Sequence, residues 1–362
     1  MPVTRPSGLA ESIPLAGLST LGVGGPARYY ARANSAESVA EAVSWARGEG
    51  LPLLFLGGGS NLVVSDEGFP GLVVHLLIRG VQAVPTDGAL ELTAGAGEPW
   101  DPLVERAVSE GWAGVECLSG IPGLVGATPL QNVGAYGQDV SETITRVRVL
   151  DLRSGEVAEL DRDSCRFGYR DSRFKREDRG RYVILGVTYR LRPGEPPSIR
   201  YADLERHLAA QGIGSPTLAD TRRAVIDVRR RKSMVIDADD PNRRSVGSFF
   251  MNPVVPAGEA QRIEAALRAD GTLAGADRMP AFPATDGRTK LSAAWLIERA
   301  GLRRGYRRGR AGISTNHTLA IVNCGGATAQ EIVGLAREVR DRVRDRFGIT
   351  LVPEPVFVGL EL

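Results

Sequence analysis

Lysine is nearly missing from this sequence. Of its 45 basic residues only Lys175, Lys232 and Lys290 are lysines. The matching excess of arginine, alanine and glycine looks like genome-wide compositional drift. A lysine that survives such drift marks a place where a fork-shaped guanidinium does not serve. Cysteine is scarce too: Cys117, Cys165 and Cys324 lie far apart, odd in number and without a C-x-x-C pair. That excludes a disulfide framework and reads as reduced thiols of a cytoplasmic protein. His75, His207 and His317 are isolated, so no metal site built on histidine is expected. No run approaches 18 apolar residues, which leaves nothing to span a bilayer as a helix. The N-terminal "MPVTRPSGLAESIP" lacks the charged-then-apolar layout of a signal peptide, so the protein is expected to stay in the cytoplasm. A net charge of +2 gives no global pull toward nucleic acid or an acidic membrane. No G-x-x-x-x-G-K-[ST] occurs, which removes the P-loop nucleotidases.

What is present is an ordinary globular composition, 43% apolar and 24% charged over 362 residues. The length exceeds one usual core, so two or three domains are expected. Asn34 and Ser35 can cap a helix over 36–47, whose Val39, Ala42, Val43 and Ala46 share a face. Apolar runs predict strands at 53–56, 72–77, 91–94, 146–152 and 182–191, with a helix at 101–109. After a segment of mixed pattern come helices near 257–269, 292–300 and 329–347, with strands at 318–322 and 351–359. There is no internal repeat.

Three glycine-bearing stretches invite a ligand-binding reading. "GVGGPA" at 22–27 fits a dinucleotide pattern formally. It runs into the strand-like "RYYARA", whereas that fingerprint must open a helix, so it is set aside. Gly57, Gly58 and Gly59, followed by Ser60 and Asn61, are more informative. Successive glycines turn main-chain N–H groups inward as an anion-binding nest, and Ser and Asn side chains add donors. A hairpin turn would need only one or two glycines. The third stretch, "LSGIPGLVGATPLQNVGAYG" at 118–137, is rich in glycine, holds two prolines and is poor in charge. It suits a backbone packed against a large flat ligand.

Two such loops on a strand–helix scaffold resemble the flavin-binding domain of the vanillyl-alcohol-oxidase superfamily. Within it the chain is similar to the UDP-N-acetylenolpyruvoylglucosamine reductase family. "LGGGSNLVVSD", "IPGLVGATPLQNVGAYG", "CRFGYRDSRFK", "SVGSFFMNP" and the C-terminal "PEP" carry the resemblance, in family order along nearly the whole chain. It implies an α+β flavoprotein with a two-part FAD-binding domain of the vanillyl-alcohol-oxidase (PCMH) type and a C-terminal α+β substrate-binding domain. The expected regions are 1–78, with the strand in 350–362 returning to it, then 79–235 and 236–349. FAD is expected to be bound without a covalent link, with NADPH as co-substrate, UDP-N-acetylglucosamine enolpyruvate as substrate, and a monomer with neither nucleic-acid nor membrane partners.

The resemblance also implies the site. Gly57, Gly58, Gly59, Ser60, Asn61, Ile121, Gly126, Thr128 and Gly134 would hold the cofactor. Arg170 would stabilise the enolate-like intermediate, since a guanidinium holds a carboxylate with two parallel bonds; its plain alternative is an ion pair with Asp171. Ser248 would donate the proton, beside Phe249 and Phe250 as a screen against water; its alternative is a turn residue. Glu354 would orient the substrate, share the proton or polarise the intermediate. Val352 and Pro355 depart from the family's Glu-Pro-Glu-Val strand, and Pro355 implies an edge or a bend. Tyr201 matches the substrate-covering tyrosine of the family's longer subtype, with Lys232 near the substrate diphosphate and Asn252 beside the proton donor. Tyr136, Tyr169, Arg229 and His317 complete the substrate set. For the basic run 227–232 the alternative is a solvated helix face. Two rival functions remain open on the residues alone: an oxygen-using flavin oxidase, and a phosphate-holding binding protein without catalysis.

Overall fold

The computed structural model describes residues 5–284 and 287–362. The chain forms two units. One takes in residues up to Leu18 together with Pro26–Ser60 and Gly68–Asp237; the other comprises Ser19–Gly25, Asn61–Glu67 and Ala238–Leu362.

The first unit holds two large sheets and a short hairpin. In the smaller, the spatial order is Ala10–Pro14, Pro26–Ala33, Phe69–Leu76, Leu53–Leu56. Its last three strands run parallel, with Arg32 opposite His75 and His75 opposite Leu56. Helix α1 (Ala36–Gly48) covers it through Val39, Ala42, Val43, Trp45 and Ala46, and Ser35 closes a capping box with Ser38. That box satisfies main-chain donors that the first turn would otherwise leave open. The glycines of 22–25 thus lead into a strand, Pro26–Ala33, in keeping with the rejected dinucleotide reading.

The larger sheet is antiparallel, in the order Val157–Asp161, Ile144–Asp151, Tyr182–Pro193, Ala89–Gly95, Val81–Thr86. Its long central strand serves two cores. Arg148 faces Gly186 but Val149 faces Ile184, so one extra residue bulges from the ladder. A bulge shifts the two-residue alternation. Val183 and Leu185 therefore join the core under α1, and Val187, Tyr189 and Leu191 the core with Trp100, Leu103 and Val104 of α2 (Trp100–Ser109). The segment of mixed pattern contains two helices, α3 (Ala202–Ala210) and α4 (Leu218–Arg231), the latter with a capping box from Thr217 and Asp220. Leu204 and Leu208 of α3 meet Ala224 and Val225 of α4 in a small core around Cys117.

The second unit is built around α7 (Ala329–Phe347), which buries Ile332, Leu335, Val339 and Val343, with α5 (Ala257–Ala269) and α6 (Ala293–Arg299). Two expected strands are shorter than the pattern predicts. Residues 314–320 close a turn, in which Ser314 N–H bonds the Ala320 carbonyl, so the strand is only Ile321–Asn323. Near the C-terminus Pro353 and Pro355 cannot donate to a ladder, and the strand is Val356–Val358, parallel to Leu62–Val64.

Candidate active site

In the first unit the triple glycine follows the strand Leu53–Leu56 and meets the second glycine-rich loop. A Cβ on Gly58 would lie 2.9 Å from Gly123 Cα, and Ser60 Oγ reaches the Pro122 carbonyl at 3.4 Å. Among the described residues no main-chain carbonyl accepts from the N–H groups of Gly58, Gly59 or Ser60. The second loop is fixed from below. Ile121 packs on the α2 core, Gly126 N–H bonds Ala96 O at 2.9 Å, and Trp100 N–H bonds Gly123 O at 3.0 Å. Thr128 is buried, its hydroxyl paired with Val125 O and with Tyr189 Oη at 2.7 Å.

The hairpin formed by Gly134–Ala135 and Gln138–Asp139 brings Arg170, Tyr136 and Tyr201 of the predicted set together. Arg170 donates to the Gly134 carbonyl at 2.5 Å. It stands at the tip of a tight turn in which Gly168 and Asp171 exchange main-chain bonds, with φ of 53° and its guanidinium over the Tyr169 ring. Lys175 Nζ holds the Arg170 carbonyl at 3.0 Å. The Asp171 carboxylate pairs with Arg176 at 2.6 Å. Two residues along the hairpin from Gly134, Tyr136 sits edge-on to Tyr201, 5.5 Å between ring centres. Burial pushes the Tyr136 phenol up to about 12, and Arg229 pulls the other way. Burial and then Asp203 raise Tyr201 as well. Both phenols are donors at neutral pH.

Arg229, on the last turn of α4, is turned inward while Arg230 and Arg231 are exposed. It donates to Met234 O at 2.7 Å, yet its buried Nε has no partner among the described residues. Gly120 lies against that nitrogen; a Cβ there would approach it to 3.3 Å. Burial lowers the Arg229 pKa, opposed by Tyr136 and Asp101. The basic run is thus a solvated face on one side and a buried guanidinium on the other. Lys232 follows, 3.9 Å from Asp203.

In the second unit Ser248 follows Gly247 (φ 75°) on a segment held on both sides. Phe249 N–H bonds Leu319 O at 2.8 Å and Glu354 N–H bonds Phe249 O at 2.9 Å. Ser248 and Glu354 therefore lie on two neighbouring segments, bridged at Phe250 and Pro353. Asn61 belongs to this unit, and its Nδ2 donates to Glu354 O at 3.3 Å. Asn252 Oδ1 accepts from Ala293 N–H at 2.9 Å and so caps α6. His317 lies in the 314–320 turn, its carbonyl accepting from Ala320.

The pattern described as FAD binding domain matches residues 27–161, and the one described as UDP-N-acetylenolpyruvoylglucosamine reductase, C-terminal domain, matches residues 239–358. The UDP-N-acetylenolpyruvoylglucosamine reductase of Saccharopolyspora erythraea is 49% identical, covering 96% of this chain and 95% of the relative. The chain belongs to this reductase family. The Thermobifida fusca reductase is 48% identical over 98% of this chain and 99% of its own. The crystal structure of the Thermus caldophilus reductase aligns with a TM-score of 0.64 and 25% identity, covering 96% of this chain and 98% of that one. The α+β fold, with an FAD-binding domain and a C-terminal reductase domain, is as the sequence implies. The enzyme is an FAD-dependent UDP-N-acetylmuramate dehydrogenase of peptidoglycan precursor synthesis, in a family that uses NADPH.

The residues present fit FAD. The open N–H groups of Gly58, Gly59 and Ser60 form a donor set for a diphosphate, and the glycine contact at Gly123 leaves no side chain over them. Sequence reasoning missed Asp101, which accepts from Gly120 N–H at 2.6 Å and is clamped by both terminal nitrogens of Arg222. Burial would raise its pKa, but Arg222 and the Gly120 N–H hold it below the usual carboxylate value. It also missed Glu116, a fully buried acid. The available signal was one carboxylate in an otherwise apolar run, "GVECLSG".

Proposed function

We propose that this reductase converts UDP-N-acetylglucosamine enolpyruvate to UDP-N-acetylmuramate with Arg170, Ser248 and Glu354 as its catalytic residues, and that it is of the longer subtype. Bound FAD supplies hydride taken from NADPH. Uptake of hydride at the enolpyruvyl methylene leaves negative charge on the neighbouring carbon, spread into the carboxylate. Arg170 binds that carboxylate and stabilises the charge, the kind of preorganised electrostatics that dominates many rate enhancements. Ser248 donates the proton that completes the new C–H bond, and Phe249 and Phe250, both buried, keep water from competing. Glu354 orients the substrate or shares that proton.

One observation carries the reading. A single hairpin presents Gly134, which holds Arg170, and Tyr136, which meets Tyr201. The unpartnered Arg229 Nε supports it further, since a buried cationic donor calls for an anion; with Lys232 it suits the substrate diphosphate. Asn252 and His317 remain substrate-side positions on the resemblance. The segment bearing Tyr201, α3 and α4 is what supports the subtype. The enzyme acts as a cytoplasmic monomer without nucleic-acid or membrane partners; among the described residues no helix is long and apolar enough to cross a bilayer.

The test is an anaerobic titration of the yellow holoenzyme. NADPH should bleach it, and the enolpyruvyl substrate should restore the colour without oxygen. Recovery of colour only on admitting air would instead make it an oxidase.

A further inference from the structure

Glu116 has no exposed surface and, among the described residues, no arginine or lysine pairs with it. A buried carboxylate without a cation is costly unless its lone pairs are filled by hydrogen bonds. Here they are. Oε2 accepts from Gly114 N–H at 2.7 Å, while Oε1 accepts from Ser198 N–H at 3.0 Å and from Gln138 Nε2 at 3.3 Å. The Gln138 amide is in turn oriented by accepting Cys117 N–H at 2.9 Å. Cys117 Sγ donates to the Ser198 carbonyl at 3.5 Å, so Ser198 is held through both its main-chain groups.

The three tethered segments are informative. Gln138 lies two residues beyond Tyr136 on the hairpin. Ser198 lies three residues before Tyr201. Residues 114–120 lead into the second glycine loop and end at Gly120, against Arg229. Outside this network the two tyrosine-bearing segments are braced again by Arg200 and Glu142 at 3.1 Å and by the approach of Gly137 to Arg200. From this we infer that Glu116 is a positioning residue for substrate binding: its carboxylate fixes the spacing of Tyr136 and Tyr201 from inside the protein, touching no ligand. The inference rests on the proposed substrate-facing role of that tyrosine pair. The acid is required because three N–H donors converge on it. Glutamine in its place would turn an NH₂ group toward at least one of them.

The experiment compares Glu116→Gln, Tyr201→Phe and the double variant in the FAD-loaded enzyme, reading the two half-reactions separately. Glu116→Gln should weaken binding of the enolpyruvyl substrate about tenfold, as loss of a bond to a charged group does. Bleaching by NADPH and FAD content should stay within about twofold of the native enzyme. The double variant should bind substrate no more than about twofold worse than the weaker single variant, because coupled residues lose the same interaction once. Native substrate affinity in Glu116→Gln overturns the inference, as does multiplication of the two losses or an equal fall in the NADPH step. If Tyr201→Phe leaves substrate affinity unchanged, the underlying reading of the site falls; if it weakens binding while Glu116→Gln does not, only the inference does. Should Glu116→Gln fail to fold, Gln138→Met removes one donor to the carboxylate and leaves its two main-chain donors. It should show the same pattern at smaller size, and unchanged substrate binding there overturns the inference.

Discussion

Gly58 lies so close to Gly123 that a Cβ on the first would stand 2.9 Å from the Cα of the second. Main chain meets main chain there, and neither side has a flexible group to move aside. Gly58→Ala must therefore spread the two glycine loops. Its FAD affinity should drop at least tenfold, measured as quenching of flavin fluorescence on titration into apoprotein. Gly17→Ala is the control, since a Cβ there would meet nothing within 4 Å. Equal FAD affinity in the two variants would remove Gly58 from the cofactor site.

Asp66, from the motif "LGGGSNLVVSD", serves α7. Its two carboxylate oxygens accept from Ala329 N–H at 2.7 Å and Gln330 N–H at 3.1 Å. These are open donors of a helix N-terminus, where negative charge is also favoured. Asp66→Ala should cost about 0.5–2 kcal/mol, the range for losing a cap. The loss should appear as a lower thermal midpoint and faster hydrogen exchange in the first turn of α7. Unchanged exchange at those amides would count against this role.

Acid should destabilise the protein through His75. Its ring lies 2.7 Å from the Tyr30 hydroxyl and is hydrogen-bonded to the main chain of Gly57. Burial lowers its pKa from the ordinary 6.5, as do Arg32 and Arg79, while the bond to Gly57 opposes them. Between the folded pKa and 6.5 the unfolded chain then holds more protons than the folded one. Stability accordingly rises with pH through that window and is lost as pH falls below about 6.5. Denaturant unfolding at several pH values should show this slope, and His75→Gln should flatten it. The same slope in both proteins would clear His75.

The sequence showed the parts of the site that depend on residue type at a fixed local spacing. The bare backbone of 57–59, the capped helix 36–47 and the amphipathic 329–347 were all legible, because each is set by neighbours in the chain. The two-sided burial of Tyr182–Pro193 was not, since a one-residue bulge changes which face each side chain takes. Nor was the pair of helices at 202–231, whose small core depends on Cys117 from a distant segment. Asn61 was expected to face the cofactor on the strength of its neighbours. Its Nδ2 also bonds the carbonyl of Glu354, a contact across 293 residues that no local pattern encodes.

Ser248→Ala should separate the two halves of the reaction. The fold should tolerate it. Ser248 is only partly buried, and its segment is held by main-chain bonds at Phe249 and Met251 to Leu319 and Val352, which the substitution leaves in place. Taking hydride from NADPH needs no proton from a serine, so bleaching should continue near the native rate. Return of colour with the enolpyruvyl substrate should collapse, because the carbanion formed on hydride uptake reverts unless it is protonated. Loss of one proton donor typically costs on the order of 10²–10⁴-fold, and the screen of Phe249 and Phe250 against water argues for the upper part of that range. Ser248→Cys should keep part of the activity, since a thiol also donates a proton. Stopped-flow absorbance resolves both steps in one sample. If the alanine variant recovers its colour as fast as the native enzyme, Ser248 is a turn residue after Gly247, and the proton comes from Glu354 on the neighbouring segment or from water.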